Sequence, residues 1–379
     1  MQDDITYDLA IVGGGLAGLS LSIQMAKAGH RVILFEKEQY PFHRVCGEYI
    51  SLESWDFLQS LGLDLRSLKV SQIKRLCVSA KNGNSFEQEL PLGGFGVSRY
   101  KLDHSLAQIA KQSGVVLFEQ TRVNDVNFSN DTFNIQSTIG SFKSKVAVGC
   151  FGKRSNLDVK WKRLFVLAKK NKLNNYIGIK YHIKYNFPDD LIALHNFKKG
   201  YCGISKIENE QYCFCYLTVA DNLQNSGNDI KKMEQTILSA NPHLKKIFDE
   251  CEMLWKGPVV ISQISFDKKN LIEDHVLMIG DAAGMITPLC GNGMSMALHA
   301  SKIAAGQIQE FLKGTISREQ MEQNYSAQWN KLFSKRLRTG RMLQRLLNDP
   351  RLTNLVIGLG RYFPSLIKTL VKKTHGSPF

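Results

Sequence analysis

The chain has 379 residues, 43% of them hydrophobic, and carries 49 Lys+Arg against 34 Asp+Glu, a formal net charge of +15. That length and apolar content supply a sizeable core and suggest two domains. Composition excludes a membrane-spanning helix, since no run of ~18 apolar residues occurs. The start of the chain lacks the pattern of a secretory signal, and eight scattered cysteines without a CxxC motif fit a reducing cytoplasm.

In chain order, the apolar run Leu9 to Val12 predicts a buried parallel strand, and Leu16 to Ala28 predicts a helix packed on it. Gly13-Gly14-Gly15-Leu16-Ala17-Gly18 joins them. Gly13 makes the tight turn, Gly15 lets backbone amides approach a pyrophosphate, and Gly18 lets helix and strand pack closely. The helix N-terminus at Leu16 and Ala17 supplies N–H groups and partial positive charge. A second run, Arg31 to Phe35, ends at Glu36-Lys37, about 20 residues past the glycines, where a carboxylate takes the ribose hydroxyls.

Farther along, Ile73 to Leu90 and Tyr176 to Val219 alternate polar and apolar residues in short runs and read as antiparallel strands. Cys213 and Cys215, two apart, share one strand face as packed thiols rather than metal ligands, and no metal site is expected. Asp229 to Ala240 has helical spacing, and Val259 to Phe266 reads as a returning strand. A second glycine-rich signature follows: Val276 to Ile279, then Gly280-Asp281-Ala282-Ala283-Gly284, then Pro288-Leu289-Cys290-Gly291-Asn292-Gly293-Met294. A strand ending in Gly-Asp offers a carboxylate to ribityl hydroxyls, and the helix starting near Gly291 aims its N-terminus at a flavin ring. A domain for NAD alone needs nothing like it. Two such signatures point to one extended cofactor held from two directions, FAD.

From Ser334 onward basic residues interleave with leucines, isoleucines and phenylalanines. Such a tail either lies on an anionic membrane surface or forms helices closing the substrate domain. Nucleic-acid binding is not expected, because no nucleic-acid motif accompanies the charge.

These stretches, with Pro41-Phe42-His43-Arg44-Val45-Cys46-Gly47-Glu48 and Arg99-Tyr100-Lys101-Leu102-Asp103, resemble the p-hydroxybenzoate-hydroxylase-fold flavoproteins. Within them the likeness is to the branch of geranylgeranyl reductases, flavin-dependent halogenases and lipid-quinone hydroxylases. The resemblance implies that Arg99 contacts the FAD ribityl or phosphate region and that backbone at Val123 meets the adenine. It also implies that Arg44, Cys46 and Gly47 form the loop beside the isoalloxazine ring. Cys46 is either a small buried loop residue or a catalytic one. Two departures stand out. Where the family has a Gly-Ala-Asp-Gly element this chain reads Gly149-Cys150-Phe151-Gly152, which puts direct NADPH use in doubt. The Trp-x-Trp-x-Ile-Pro segment of tryptophan halogenases is missing.

The expected fold is α/β: an interrupted Rossmann-like FAD-binding domain (1–70, 100–170 and 265–310), an antiparallel-sheet substrate domain (71–99 and 171–264) and a helical C-terminal region (311–379). The expected activity is FAD-dependent hydroxylation of a lipophilic phenolic or quinone-like substrate through a flavin C4a-hydroperoxide. NAD(P)H serves as reductant directly or through a separate reductase. Saturation of isoprenoid double bonds, halogenation and flavin electron transfer are the alternatives. The protein is expected in the cytoplasm, with peripheral membrane contact through its basic C-terminus as an option. In the roof of the site, Tyr181, His182, His195 and Tyr216 are general-base candidates by residue type only.

Overall fold

The computed structural model describes residues 5–167, 175–288, 291–348, 350–362, 365, 368–369, 371 and 375–379. The β-branched and leucine-rich run Thr6–Val12 forms the centre of the first sheet. It pairs in parallel with Val32–Phe35 on one side and Gly140–Gly149 on the other. Phe118 extends the row beyond Phe35, and Val276–Met278 extends it beyond Gly149. A hairpin, Val123–Ser129 with Thr132–Ser137, is attached antiparallel to Gly140–Gly149. The register sets Val12 against Phe35 and against Gly149, and Gly149 against Met278. Strands aligned this way bring Gly13, Glu36, Cys150 and Gly280 to one edge, the carboxyl edge where open α/β sheets bind ligands.

The second sheet runs Glu252–Met253, Tyr176–Lys184, Tyr212–Val219, Gly200–Lys206, Leu191–Phe197, Ser71–Ser79, Ser85–Gly96, Tyr49–Ser51, and Val259–Ile264 also pairs with Tyr176–Lys184. All these pairings are antiparallel except that of Leu191–Phe197 with Ser71–Ser79. Tyr49–Ser51, inside the first stretch assigned by sequence to the FAD-binding domain, hydrogen-bonds into this second sheet.

The alternation in Tyr176–Lys184 has a different cause from a solvated edge. Every residue from Tyr176 to Ile183 is buried. Ile177, Ile179, Tyr181 and Ile183 pack with Phe214, Met233, Leu238 and Leu244 under a helical layer. On that side Tyr181 and Tyr216 both donate to Glu234 Oε1, at 2.9 and 2.7 Å. His195 likewise bonds Ser79, at 2.8 Å. Three of the four base candidates therefore face away from the carboxyl edge and are structural.

The helices Leu16–Lys27 and Gly293–Leu312 pack together, joined by Ser20 Oγ and Ser301 Oγ at 2.7 Å. Arg318–Asn348 buries Met321, Tyr325, Trp329 and Phe333 against the first sheet, and Tyr325 donates to the Met278 carbonyl at 2.6 Å. Pro350–Tyr362 turns Ile357 onto Val78 and Phe86 of the second sheet. In the described part of the basic tail, Leu337 and Leu343 join the core beside the first sheet and Ile357 packs on the second, while Met342, Leu352 and Tyr362 stay exposed. Among the described residues no helix is long and apolar enough to cross a membrane.

Candidate active site

The site grows from two strand–turn–helix units whose turns meet. At the first, Gly13 has φ +108°, and a Cβ there would lie 2.5 Å from the Cys150 carbonyl oxygen. A Cβ on Gly18 would overlap the Gly13 carbonyl oxygen. Only glycine meets either demand. At the second, Gly280 has φ +65°, and its missing side chain would contact Ala17 Cβ at 3.3 Å and Ala297 Cβ at 3.5 Å. The first turns of both helices therefore converge on Gly280. Neither Gly15 nor Asn292 makes a side-chain capping bond to its own helix, and each helix N-terminus carries partial positive charge.

Around this crevice the charged residues form one connected set. Glu36 accepts from the Gly14 amide at 2.9 Å, the Glu38 amide at 3.1 Å and Arg44 Nη2 at 2.9 Å. Arg44 also reaches Asp103, at 3.1 Å. Asp103 is gripped by both Nε and Nη2 of Arg99 at 2.7 Å, a forked contact one helical turn along Arg99–Gln112. Arg99 Nη2 lies 3.8 Å from where a Cβ on Gly15 would stand. Burial works against the Arg99 charge and the Asp103 carboxylate more than offsets it. Lys37, by contrast, is exposed and pairs with Glu38 at 3.6 Å.

Asp281 sits opposite. Burial pushes its carboxyl up, while Lys269, Lys153 and Arg99 pull it down. Lys269 donates to the Lys153 carbonyl at 2.7 Å and the Asp281 carbonyl at 2.8 Å. Burial lowers Lys153 and Lys269 each to about 8, with Asp281 opposing the fall in both. Lys269, Lys153 and Arg99 thus lie near enough to act on the Asp281 carboxyl, and a ligand phosphate nearby would meet the same cations.

The loop after Arg44 runs under the second sheet. Cys46 Sγ lies 3.6 Å from Met294 Sδ, and Cys213 donates to the Cys46 carbonyl at 3.2 Å. Burial pushes the Cys46 thiol up, with Arg99 opposing, so it is a neutral thiol at neutral pH. Glu48, completely buried and at φ +53°, anchors the loop. It bonds Lys180 Nζ, His182 Nε2 at 2.7 Å and the Arg99 amide at 2.7 Å. Burial alone would raise Glu48; Lys180 and then His182 hold it down to about 2. Lys180 donates to the Arg44 carbonyl too, at 3.1 Å. His43, Tyr100, Trp255 and His182 stack over this knot with ring centroids 4.3–5.1 Å apart. Glu48, His182 and Cys213 offer ligand atoms within 4.8 Å of one another, yet the Lys180 ammonium already holds the carboxylate.

Of the residues singled out by sequence, Gly13, Gly15, Leu16, Ala17, Gly18, Glu36, Arg44, Cys46, Gly47, Arg99, Gly280, Asp281, Gly291, Asn292, Gly293 and Met294 lie on these two turns and the loop beside them. Val123 begins its strand farther along the same edge, its carbonyl accepting from Asn156 at 3.2 Å. Pro288 is exposed on the second turn, and Leu289 and Cys290 lie outside the described residues. Sequence reasoning left Glu48, Asp103, Lys153, Lys180 and Lys269 without a role. The Arg99–Asp103 spacing of four on a helix was a usable signal.

Two glycine turns that meet at the carboxyl edge of a parallel sheet, with Glu36 at one and Asp281 at the other, are the arrangement of a dinucleotide-binding fold. A family model, the FAD binding domain, matches residues 6–335, and the chain belongs to that family. Conditioned medium factor receptor 1 of Dictyostelium discoideum is 24% identical over 364 residues, covering 88% of this chain and 69% of that protein. Digeranylgeranylglycerophospholipid reductase 1 of Methanothermobacter thermautotrophicus is 23% identical, with 80% and 78% covered. Kynurenine 3-monooxygenase of Flavobacterium psychrophilum is 25% identical, with 86% and 74% covered. Among solved structures, the flavin-dependent brominase Bmp2 superposes with a TM-score of 0.79 at 19% identity over 98% of this chain and 93% of that one. The flavin-dependent halogenase CmlS gives 0.75 at 19% over 88% of this chain and 64%, less than two thirds, of that one. A geranylgeranyl bacteriochlorophyll reductase-like protein from Thermoplasma acidophilum gives 0.75 at 18% over 96% and 98%. These likenesses establish an FAD-dependent oxidoreductase fold shared by monooxygenases, reductases and halogenases.

Proposed function

We propose that this chain is an FAD-dependent monooxygenase acting on a lipophilic phenolic or quinone-like substrate. The observation offered in support is the buried apolar packing between the second sheet and the segment that follows the Gly280 turn. Tyr176, Tyr201, Leu217, Ile264, Phe266 and Met285 form one cluster there, with Leu194 and Ile261 packed beside it. Apolar packing of this kind beside a bound flavin would keep bulk water from the ring and suits an apolar substrate better than a charged one.

The residues fit FAD. In this reading the amides of Gly13 to Gly18 and the Leu16–Ala17 helix end hold the pyrophosphate, with Arg99 beside it. Glu36 holds the adenosine ribose, Val123 the adenine by its backbone, and Asp281 the ribityl chain. Pro288, Gly291, Asn292, Gly293 and Met294 would border the ring from one side and Cys46 and Gly47 from the other, while the Arg44 side chain, paired with Glu36 at 2.9 Å, belongs to the ribose end rather than beside the ring as the resemblance implied. FAD supplies the redox and oxygen chemistry when bound. The chain's own contribution is charge and placement. The Gly293 helix end favours negative charge in front of it, and Glu48 fixes the loop that carries Cys46 and Gly47. Electrons come from NAD(P)H, directly or through a separate reductase.

The test is turnover under ¹⁸O₂ with prenylated phenols and quinones, read by mass spectrometry. Incorporation of one labelled oxygen is expected. A product heavier by two hydrogens and free of label would overturn the reading in favour of double-bond reduction. That second reading draws on the Cys46–Met294 contact, a soft apolar wall suited to a polyprenyl chain.

A further inference from the structure

One surface segment breaks the usual pattern of apolar residues inside. The two short helices Asn156–Lys160 and Leu164–Leu167 hold Val159 at 50%, Leu164 at 70% and Leu167 at 54% exposure. Single exposed leucines are ordinary. Here three exposed apolar side chains fall within nine residues, interleaved with exposed Lys162 and with Lys160, which pairs with Asp125 at 2.7 Å, and the segment beneath them is locked from inside.

The lock is Arg163, which is buried. It bonds Asp158 at 2.8 Å, Glu273 at 3.0 Å, the Asn270 carbonyl at 2.7 Å and the Ala282 carbonyl at 3.1 Å. Ser155 and Asp158 close a capping box at the first helix. Phe165 points inward, under Lys269 Nζ at 4.4 Å and Arg163 at 5.3 Å from its ring centroid. A side chain able to collapse would bury Leu164 and Leu167; this scaffold keeps them out, and it does so one residue from the Gly280–Asp281 turn of the active site.

We propose that Asn156–Leu167 is a docking surface for an anionic lipid bilayer, with Val159, Leu164 and Leu167 entering the interface and Lys160 and Lys162 at the headgroups. This deepens the reading of a lipophilic substrate and rests on it for the purpose of docking, not for its physical basis. Charge complementarity selects the occupant: the chain has a net charge of +15, and interleaved lysines and leucines suit acidic headgroups above acyl chains. The Arg163 bond to the Ala282 carbonyl joins this segment to the residue that follows the Gly280–Asp281 turn.

The test uses the full chain loaded with FAD and co-sedimentation with vesicles of phosphatidylcholine, with and without phosphatidylglycerol. The chain is expected to sediment with phosphatidylglycerol vesicles and to stay largely in solution with phosphatidylcholine alone. Leu164→Ser/Leu167→Ser is expected to weaken vesicle binding by about tenfold to a hundredfold, with flavin absorbance and thermal midpoint unchanged. Lys160→Gln/Lys162→Gln is expected to reduce the preference for the acidic lipid. The proposal is overturned if the parent ignores both vesicles, binds both equally, or is matched by the serine variant. Because the readout is binding rather than turnover, none of these outcomes touches the monooxygenase reading, and absence of ¹⁸O in products leaves this one standing.

Discussion

Replacing Glu48 by glutamine should be among the most damaging single changes in the chain, although it alters only one atom pair. Glu48 and Lys180 are both fully buried. The carboxyl is held at about 2 against an ordinary value of 4.5, a gap worth about 3 kcal/mol of folding free energy. The sign follows from the depressed value. This contribution is complete above pH 4.5 and is lost as pH falls through about 2. Glutamine keeps the shape, but it removes the charge that offsets the Lys180 ammonium, so the expected loss at pH 7 is about 3–5 kcal/mol. Urea unfolding of the cofactor-free protein, followed by tryptophan fluorescence, measures it. Lys180→Met on top of Glu48→Gln removes the stranded cation and should restore part of the stability. A Glu48→Gln variant within about 1 kcal/mol of the parent, or a double variant that costs the sum of the singles, would refute the argument.

Other outcomes follow from the same geometry. Gly18→Ala should yield protein without bound FAD, checked by flavin absorbance after purification, because the new Cβ overlaps the Gly13 carbonyl. FAD affinity should fall as pH rises from 7 through 9. Lys153 and Lys269 lose their protons near 8, and an anionic ligand binds the charged form better. Fluorescence titration across pH tests this, and Lys153→Met should flatten the curve. Arg163→Met strands Asp158 and two carbonyls, and should cost about 3–5 kcal/mol in urea unfolding.

The cofactor frame was legible in the sequence because its demands are local. A tight turn, a close backbone approach and an acid at a strand end each leave a mark within a few residues. Gly13, Gly18, Glu36, Gly280 and Asp281 could therefore be placed before any coordinates. Glu48 could not. Its partners Lys180 and His182 lie more than a hundred residues away on a strand of the other sheet. Their alternation with Ile179, Tyr181 and Ile183 reads as an antiparallel strand and names no partner for either. Lysine and histidine pass for solvent-facing residues until a carboxylate from a distant loop is seen to meet them. Lys153 and Lys269 were hidden for a similar reason, since their environment depends on two loops closing over Asp281.

The interleaving of the two sheets has a consequence for how the protein is made. Ser71–Ser79 must await Leu191–Phe197 for its parallel neighbour, and Tyr176–Lys184 must await Val259–Ile264. The first sheet gains Val276–Met278 later still, and the helix that starts at Gly293 comes after that. Pairings this distant are slow to form. On a ribosome delivering the chain from its N-terminus, the nucleotide-binding turn at Gly13 emerges first and stands without its opposite wall until most of the polypeptide has followed. Flavin capture is then a late event of biosynthesis, because a nascent chain holds both halves of the cradle only once the helix Gly293–Leu312 has emerged.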